Sequence, residues 1–262
     1  MDAWHSLRQF TQARIAQGRS GSSLPTAAWL EFQLAHAAAR DAVLQAWDVE
    51  GFQEGVGQAG LKSLVLNTRA ASRDLYLQRP DLGRCLDDDS RAALESSGGQ
   101  TVDVALIISN GLSSTATDRH GLALLQALVA SLVNHRLSYS PVCLVPNARV
   151  ALSDEIGALL QARLAIIVVG ERPGLSAADS LGAYLTYAPQ RGRTDADRNC
   201  LSNIRPPEGL GHAEAAIKLT YLASKALRGG FGGVTLKDDM ANAFDRLGDP
   251  GGGHHGVADI LT

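Results

Sequence analysis

Cysteine is scarce in this chain: three in 262 residues, at positions 85, 143 and 200. They are odd in number, far apart and free of any Cys-x-x-Cys spacing, so neither a disulfide framework nor a zinc site is supported. Long apolar runs are lacking too; none reaches the roughly eighteen residues of a membrane span. Nor is there an excess of one charge. The 24 basic residues against 27 acidic ones leave a net charge of −3, which gives a nucleic-acid backbone no electrostatic footing. Met1-Asp2-Ala3-Trp4-His5 carries neither the basic nor the apolar region of a secretory signal, so the cytoplasm is the expected compartment.

The usual motifs of α/β enzymes are also missing. No Gly-x-Gly-x-x-Gly follows a strand, and no Walker-type Gly-x-x-x-x-Gly-Lys exists; Gly18-Arg19-Ser20-Gly21-Ser22-Ser23 only imitates its composition. No Gly-x-Ser-x-Gly nucleophile elbow occurs. The histidines form no metal-ligand pair on one helix face, and His254-His255 sit in a glycine-rich tail without further ligands, where a polar tail is the plainer reading.

What is present is an ordinary globular composition, 45% hydrophobic and 19% charged, in a chain long enough for one large domain or a domain with an extension. From Thr101 onward strands and helices alternate. Val102 to Ile108, Pro141 to Val145 and Leu164 to Val169 read as strands, and Leu181 to Tyr187 as a fourth. His120 to His135, residues 153–162 and Ala213 to Leu227 read as helices, with Ser153 as N-cap of the second. Such alternation predicts an α/β fold with a Rossmann-like parallel sheet and an N-terminal helical extension. The expected division is a helical and linker region over 1–98, the α/β unit over 99–228 and a glycine-rich, fraying tail over 229–262. Cys143, inside Val142-Cys143-Leu144-Val145, reads as a buried core thiol.

In the N-terminal region, Leu24-Pro25-Thr26 signals a helix start with Thr26 as N-cap, and a helix follows over 27–47. Leu30, Leu34, Ala37 and Leu44 fall on one stripe; Trp29, Phe32, His36, Val43 and Trp47 fall on another. Either both stripes pack in the chain's own core or one faces a partner subunit. Asp41, in the first stripe beside Arg40, is expected to pair with an arginine or cap a backbone group. Gly51 to Gly60 reads as irregular. The 76–84 stretch around Arg79-Pro80 reads as a loop, either solvated or a docking site for an acidic partner.

Polar residues gather at strand ends: Asn110, Arg149-Val150, Glu171-Arg172 and Asn199-Cys200. The abrupt change from Leu164-Ala165-Ile166-Ile167-Val168-Val169 to Gly170-Glu171-Arg172-Pro173-Gly174 is the sharpest of these. Open α/β sheets bind ligands at the carboxyl ends of their strands. Loops there can hold a large polar ligand without supplying a nucleophile.

At these residues the chain resembles the small (light) subunit of ethanolamine ammonia-lyase. The matching pieces are Ala13-Arg14-Ile15-Ala16-Gln17-Gly18-Arg19-Ser20-Gly21, the 75–84 stretch from Leu75 to Arg84, Ser109-Asn110-Gly111-Leu112-Ser113, Val169-Gly170-Glu171-Arg172-Pro173-Gly174-Leu175 and Asp197-Arg198-Asn199-Cys200-Leu201-Ser202-Asn203-Ile204. They keep their order over about residues 7 to 228. The resemblance implies an adenosylcobalamin (coenzyme B12)-dependent lyase that converts ethanolamine to acetaldehyde and ammonia. It implies a large subunit that holds the substrate, a hetero-oligomer, and a cobalamin lying between the two kinds of subunit. It carries cobalamin contacts over to Val150, Glu171 and Cys200, with no catalytic residue and no metal ligand on this chain. It leaves two compartments open, the cytoplasm and a bacterial microcompartment. Asp154 and Glu155, just beyond Val150, argue for a neutral ligand group there. Glu171 could instead pair with Arg172 or Arg198, and Cys200 could be a packing thiol. The rival readings are a non-catalytic assembly protein and a stand-alone nucleotide- or sugar-binding enzyme.

Overall fold

The computed structural model describes residues 4–96 and 101–240. The core is a six-stranded sheet in the order β1-β3-β2-β4-β5-β6. Its strands are β1 (Ser63–Val65), β2 (Val104–Ser109), β3 (Val142–Leu144), β4 (Leu164–Gly170), β5 (Leu181–Tyr187) and β6 (Arg198–Ile204). Every residue of β2, β3 and β4 is buried, which is why these segments read as unbroken apolar runs.

The sheet is mixed, not parallel throughout. β1, β3, β2 and β4 run parallel, but β5 is antiparallel to β4 and β6 to β5. Connection length explains the change. A parallel return needs a crossover of roughly a dozen residues or more, usually with a helix. The links over 171–180 and 188–197 hold no such helix, so each chain segment turns straight back beside its predecessor.

Two layers of helix cover the sheet. The side chains of Leu106, Ile108, Ile166 and Val168 pack with helices α6 (Leu122–Asn134) and α8 (His212–Gly229). Their alternates Ala105, Ile107, Ala165 and Ile167 pack with α7 (Leu152–Leu159) and with Leu94 of α4 (Asp88–Ser96). The short α5 (Ser114–Ala116) and a π-turn over Thr117–Gly121 lead into α6. Cys143 is buried, and burial pushes its thiol up to about 12, as befits an inert core residue. Among the described residues no helix is long and apolar enough to cross a membrane.

The N-terminal part departs from expectation in three places. Helix α1 spans Thr26–Leu44 with Pro25 at the N-cap, so Thr26 is its first residue and not its cap. It ends before Trp47, which turns inward and meets Phe52 edge-on, ring centroids 5.2 Å apart. Gly51 to Gly60 is largely helical: α2 covers Val49–Gln58, capped by the Asp48 carboxylate accepting from the Gly51 N–H at 3.0 Å. That cap and the burial of Val56 outweigh the glycines. Asp41 lies 3.6 Å from Arg40, both exposed, a pair that contributes little. The 76–84 stretch begins inside a helix, α3 (Arg73–Gln78), with Tyr76 buried. Arg79 and Asp81 then pair with each other at the surface, 2.6 Å apart.

Downstream, Ser153 lies inside α7 and Ala151 is the N-cap position; the Ser153 hydroxyl instead donates back to the Val150 carbonyl at 2.8 Å. Past α8, Leu236 is buried, and Asn199 bonds to Gly233 and Leu236. The histidines at 254 and 255 lie outside the described residues.

Candidate functional site

β2 leads through its helix to β3 on one side, and the next crossover returns to β4 on the other side of β2. The order in which strands are added thus reverses between β2 and β4, which stay parallel, and open sheets bind ligands at that point, beyond the strand ends. A cleft of about 430 Å³ opens there. Its floor comes from Gly111 and Leu112 after β2 and from Val169 and Gly170 of β4. One wall is Ala148, Arg149 and Val150 with Tyr76 behind; the other is Glu171, Tyr184 and Ser202.

Backbone contacts and buried polar groups fix this geometry. The Leu112 N–H donates to the Gly170 carbonyl at 2.8 Å. Asn110 is buried, and its side-chain oxygen accepts from the Asn147 N–H at 2.8 Å, while the Ser109 hydroxyl accepts from Gly111 and Ala148. Asn110 therefore braces the two loops and does not face a ligand. Val150 stands where the chain enters α7, and among the described residues no acceptor meets its N–H. Such an open donor at a helix start suits a polar ligand atom.

Glu171 is the carboxylate of the cleft. Its oxygens accept from the Ser180 hydroxyl at 2.5 Å, the Ser202 hydroxyl at 2.5 Å and the Asn203 N–H at 3.2 Å. Neither Arg172 nor Arg198 pairs with it; Arg198 is taken by Asp154. The bracing depends on β6. Leu181 pairs with Ile204 but Ala183 with Leu201, so β6 holds one extra residue there. The bulge turns Ser202 and Asn203, the latter with φ of 60°, toward the carboxylate. Gly182 keeps the space open, since a Cβ there would stand 2.9 Å from a Glu171 oxygen.

The family described as ethanolamine ammonia-lyase light chain (EutC) matches residues 1–237. The chain belongs to this family. A protein of Xanthomonas campestris pv. campestris named ethanolamine ammonia-lyase small subunit is 52% identical over 241 residues, covering 91% of this chain and 88% of that one. Proteins of the same name from Azotobacter vinelandii and Pseudomonas aeruginosa are each 50% identical, over 255 and 239 residues. They cover 95% and 90% of this chain and 93% and 87% of their own lengths.

Of the three residues that the family resemblance singles out, Val150 and Glu171 line the cleft on opposite walls. Cys200 does not line it. It lies in β6, directly across from Tyr184, and is exposed. The stretch from Arg198 to Ile204 is an edge strand and not a strand-end loop, so Cys200 extends the wall sideways. Partial desolvation against the sheet raises its thiol above the usual range, against the pull of Tyr184, which makes it no nucleophile. Reading 198–204 as a strand would have put Ser202 on the same face as Cys200, the alternation that the polar composition concealed. Arg73 reaches the site from a distant segment and leaves no local signal, and Ser180, nine residues after Glu171, folds back onto it.

Proposed function

We propose that this chain is the cobalamin-holding small subunit of an ethanolamine ammonia-lyase, which converts ethanolamine to acetaldehyde and ammonia with a large subunit that holds the substrate. The observation that carries the reading is the Glu171 carboxylate, held at the cleft mouth by two hydroxyls and an N–H and, among the described residues, paired with no cation. A carboxylate so placed is ready to accept from amide or hydroxyl donors, which line a corrin and its ribose in number. The open N–H of Val150 faces the same cleft and suits their acceptors. The cleft is too small to enclose a corrin with its nucleotide, so the chain offers one wall and a partner must supply the other. Cys200 and Tyr184 extend that wall along the sheet face.

The cofactor supplies the radical chemistry once bound, and the protein positions and shields it. Residues 99–228 do this in our reading, with no catalytic side chain of their own. The hetero-oligomer is taken to work in the cytoplasm or within a bacterial microcompartment.

Co-expression with the large subunit tests the reading, by a cobalamin spectrum of the purified complex and by acetaldehyde release. Retained cofactor and turnover only with both chains are expected; turnover by this chain alone would sink it. Glu171→Ala is expected to lower cobalamin affinity roughly ten- to hundredfold, the scale of hydrogen bonds to a charged group, while the two chains still co-purify. Loss of co-purification with unchanged cofactor affinity favours the assembly-protein reading instead.

Docking falls to residues 1–98 in the same proposal. Leu30, Leu34 and Leu44 on α1 are 58%, 74% and 53% exposed, with Trp29 beside them at 48%. Apolar side chains clustered along one exposed helix suit a subunit interface. Leu30→Glu with Leu34→Glu is expected to abolish co-purification with the large subunit while leaving the circular dichroism spectrum unchanged. Undiminished complex formation would move the interface elsewhere.

A further inference from the structure

The wall of the cleft opposite Glu171 carries positive charge that no carboxylate among the described residues pairs with. The Arg149 guanidinium lies 4.2 Å from the centre of the Tyr76 ring, and the Arg73 guanidinium lies 5.0 Å from the same centre. Tyr76 itself is neutral: burial raises its phenol above the usual value, and the hydroxyl donates to the Ala148 carbonyl at 3.3 Å. Arg73 spends its bonds on the carbonyls of Val43 at 2.7 Å and Gly111 at 2.6 Å and on the Asn147 amide oxygen at 3.3 Å. Arg149 donates to the Tyr76 carbonyl at 3.3 Å. These acceptors are all neutral. Among the described residues neither arginine has a carboxylate partner, and Arg73 Nη2 and Arg149 Nε are buried with no hydrogen-bond partner. Buried arginines elsewhere are neutralised: Arg198 by Asp154 at 2.7 Å and Arg205 by Glu208 at 3.6 Å.

The acids that might compensate Arg149 are already engaged. Asp154, at the head of α7, is held by Arg198. Glu155 accepts from Arg91 and Arg191. Their charges therefore do not oppose an anion beside Val150, contrary to what their position in the sequence implies. Glu171 is bound to its serines across the cleft. Two adjacent guanidiniums, partly desolvated and without a counter-charge, are costly in the free protein, and an arriving anion relieves that cost with charge-assisted hydrogen bonds.

We propose that Arg149, backed by Arg73 across Tyr76, is the seat for an anionic phosphate group of the cleft's ligand; resting on the cobalamin reading above, that group is the phosphodiester of the nucleotide loop. The amides on the rim of the corrin are neutral and call for no such seat. The cleft thereby orients its ligand, with the phosphate at Arg149 and donors at Glu171.

The test compares three ligands on the purified complex of both chains by equilibrium dialysis: cobalamin, cobinamide phosphate, and cobinamide, which lacks the phosphate. The unmutated complex is expected to bind the first two more tightly than the third. Arg149→Gln is expected to lower affinity for the first two roughly ten- to hundredfold and to leave cobinamide unchanged. A purely structural role for Arg149 would weaken all three together and overturn the seat. Equal affinity of the unmutated complex for cobinamide and cobinamide phosphate also overturns it, without recourse to any variant, while leaving the cobalamin reading intact. Binding of none of the three by the unmutated complex overturns both.

Discussion

Replacing Arg198 by alanine is expected to destabilise the chain by about 3–5 kcal/mol, the usual cost of breaking a buried pair from one side. The Arg198 and Asp154 side chains are each only 3% exposed. They meet through two parallel hydrogen bonds of 2.7 and 2.8 Å, and Arg198 also donates to Thr186 and to the Arg193 carbonyl. Removing the arginine leaves a carboxylate under α7 with neither water nor a counter-charge. Arg198→Lys keeps the charge but cannot reproduce the planar two-point contact, and should recover only part of the loss. Asp154→Leu combined with Arg198→Met removes both charges and should return stability close to the parent, or above it. Urea denaturation of the four proteins checks this; a parent-like midpoint for Arg198→Ala would contradict it. The consequence for function follows from position. Asp154 belongs to the helix that begins beside Val150, and Arg198 opens the strand that carries Ser202 and Asn203. The pair clips together the two walls of the cleft, so its loss should loosen Glu171 along with the fold.

Much of the sheet is legible in the sequence, and its physical basis is plain. Residues 104–108 and 164–169 are apolar at every position because both faces are covered, and residues 181–187 were recognisable for nearly the same reason. The direction of β5 was also within reach, because the 171–180 link is too short for a helical crossover; alternation of strands and helices upstream suggested a parallel sheet instead. β6 was hidden. Its face toward α7 carries Arg198, Cys200 and Ser202, and an arginine becomes a core residue only because Asp154 waits for it. α2 was hidden by its glycines, although Gly55 has a packing reason, since a Cβ there would lie 3.2 Å from Leu122. At the site, Glu171 and Val150 stood out through strand-end position and family resemblance together. Arg73 and Tyr76 could not, since what matters about them is which distant groups they meet and which they lack.

Gly170→Ala is expected to cost about 3 kcal/mol or more, the upper range for forcing atoms into a filled space, and to abolish cofactor retention with it. An added Cβ would stand 2.2 Å from the Ser113 carbonyl oxygen and 2.4 Å from that of Asn110. Both obstacles are backbone, so no side chain can swing aside. The Asn110–Ser113 turn would have to move, breaking the Leu112-to-Gly170 hydrogen bond and the contacts through which Asn110 holds the loop before α7. The same contact seen from the other side is as tight: a Cβ on Gly111 would lie 2.4 Å from the Gly170 oxygen, at a φ of +49° that side chains rarely adopt. Gly111→Ala should therefore fail in the same way. Gly174→Ala is the control, because its nearest neighbour is the Ala177 oxygen at 3.8 Å, and its effect should stay within about 0.5 kcal/mol. The measurement is the denaturation midpoint of each variant together with the cobalamin content of its complex. A Gly170→Ala protein of parent stability would mean that the two loops part more easily than this packing allows. The cleft floor would then be compliant, and Glu171 and Arg149 would not stand at a fixed separation across it.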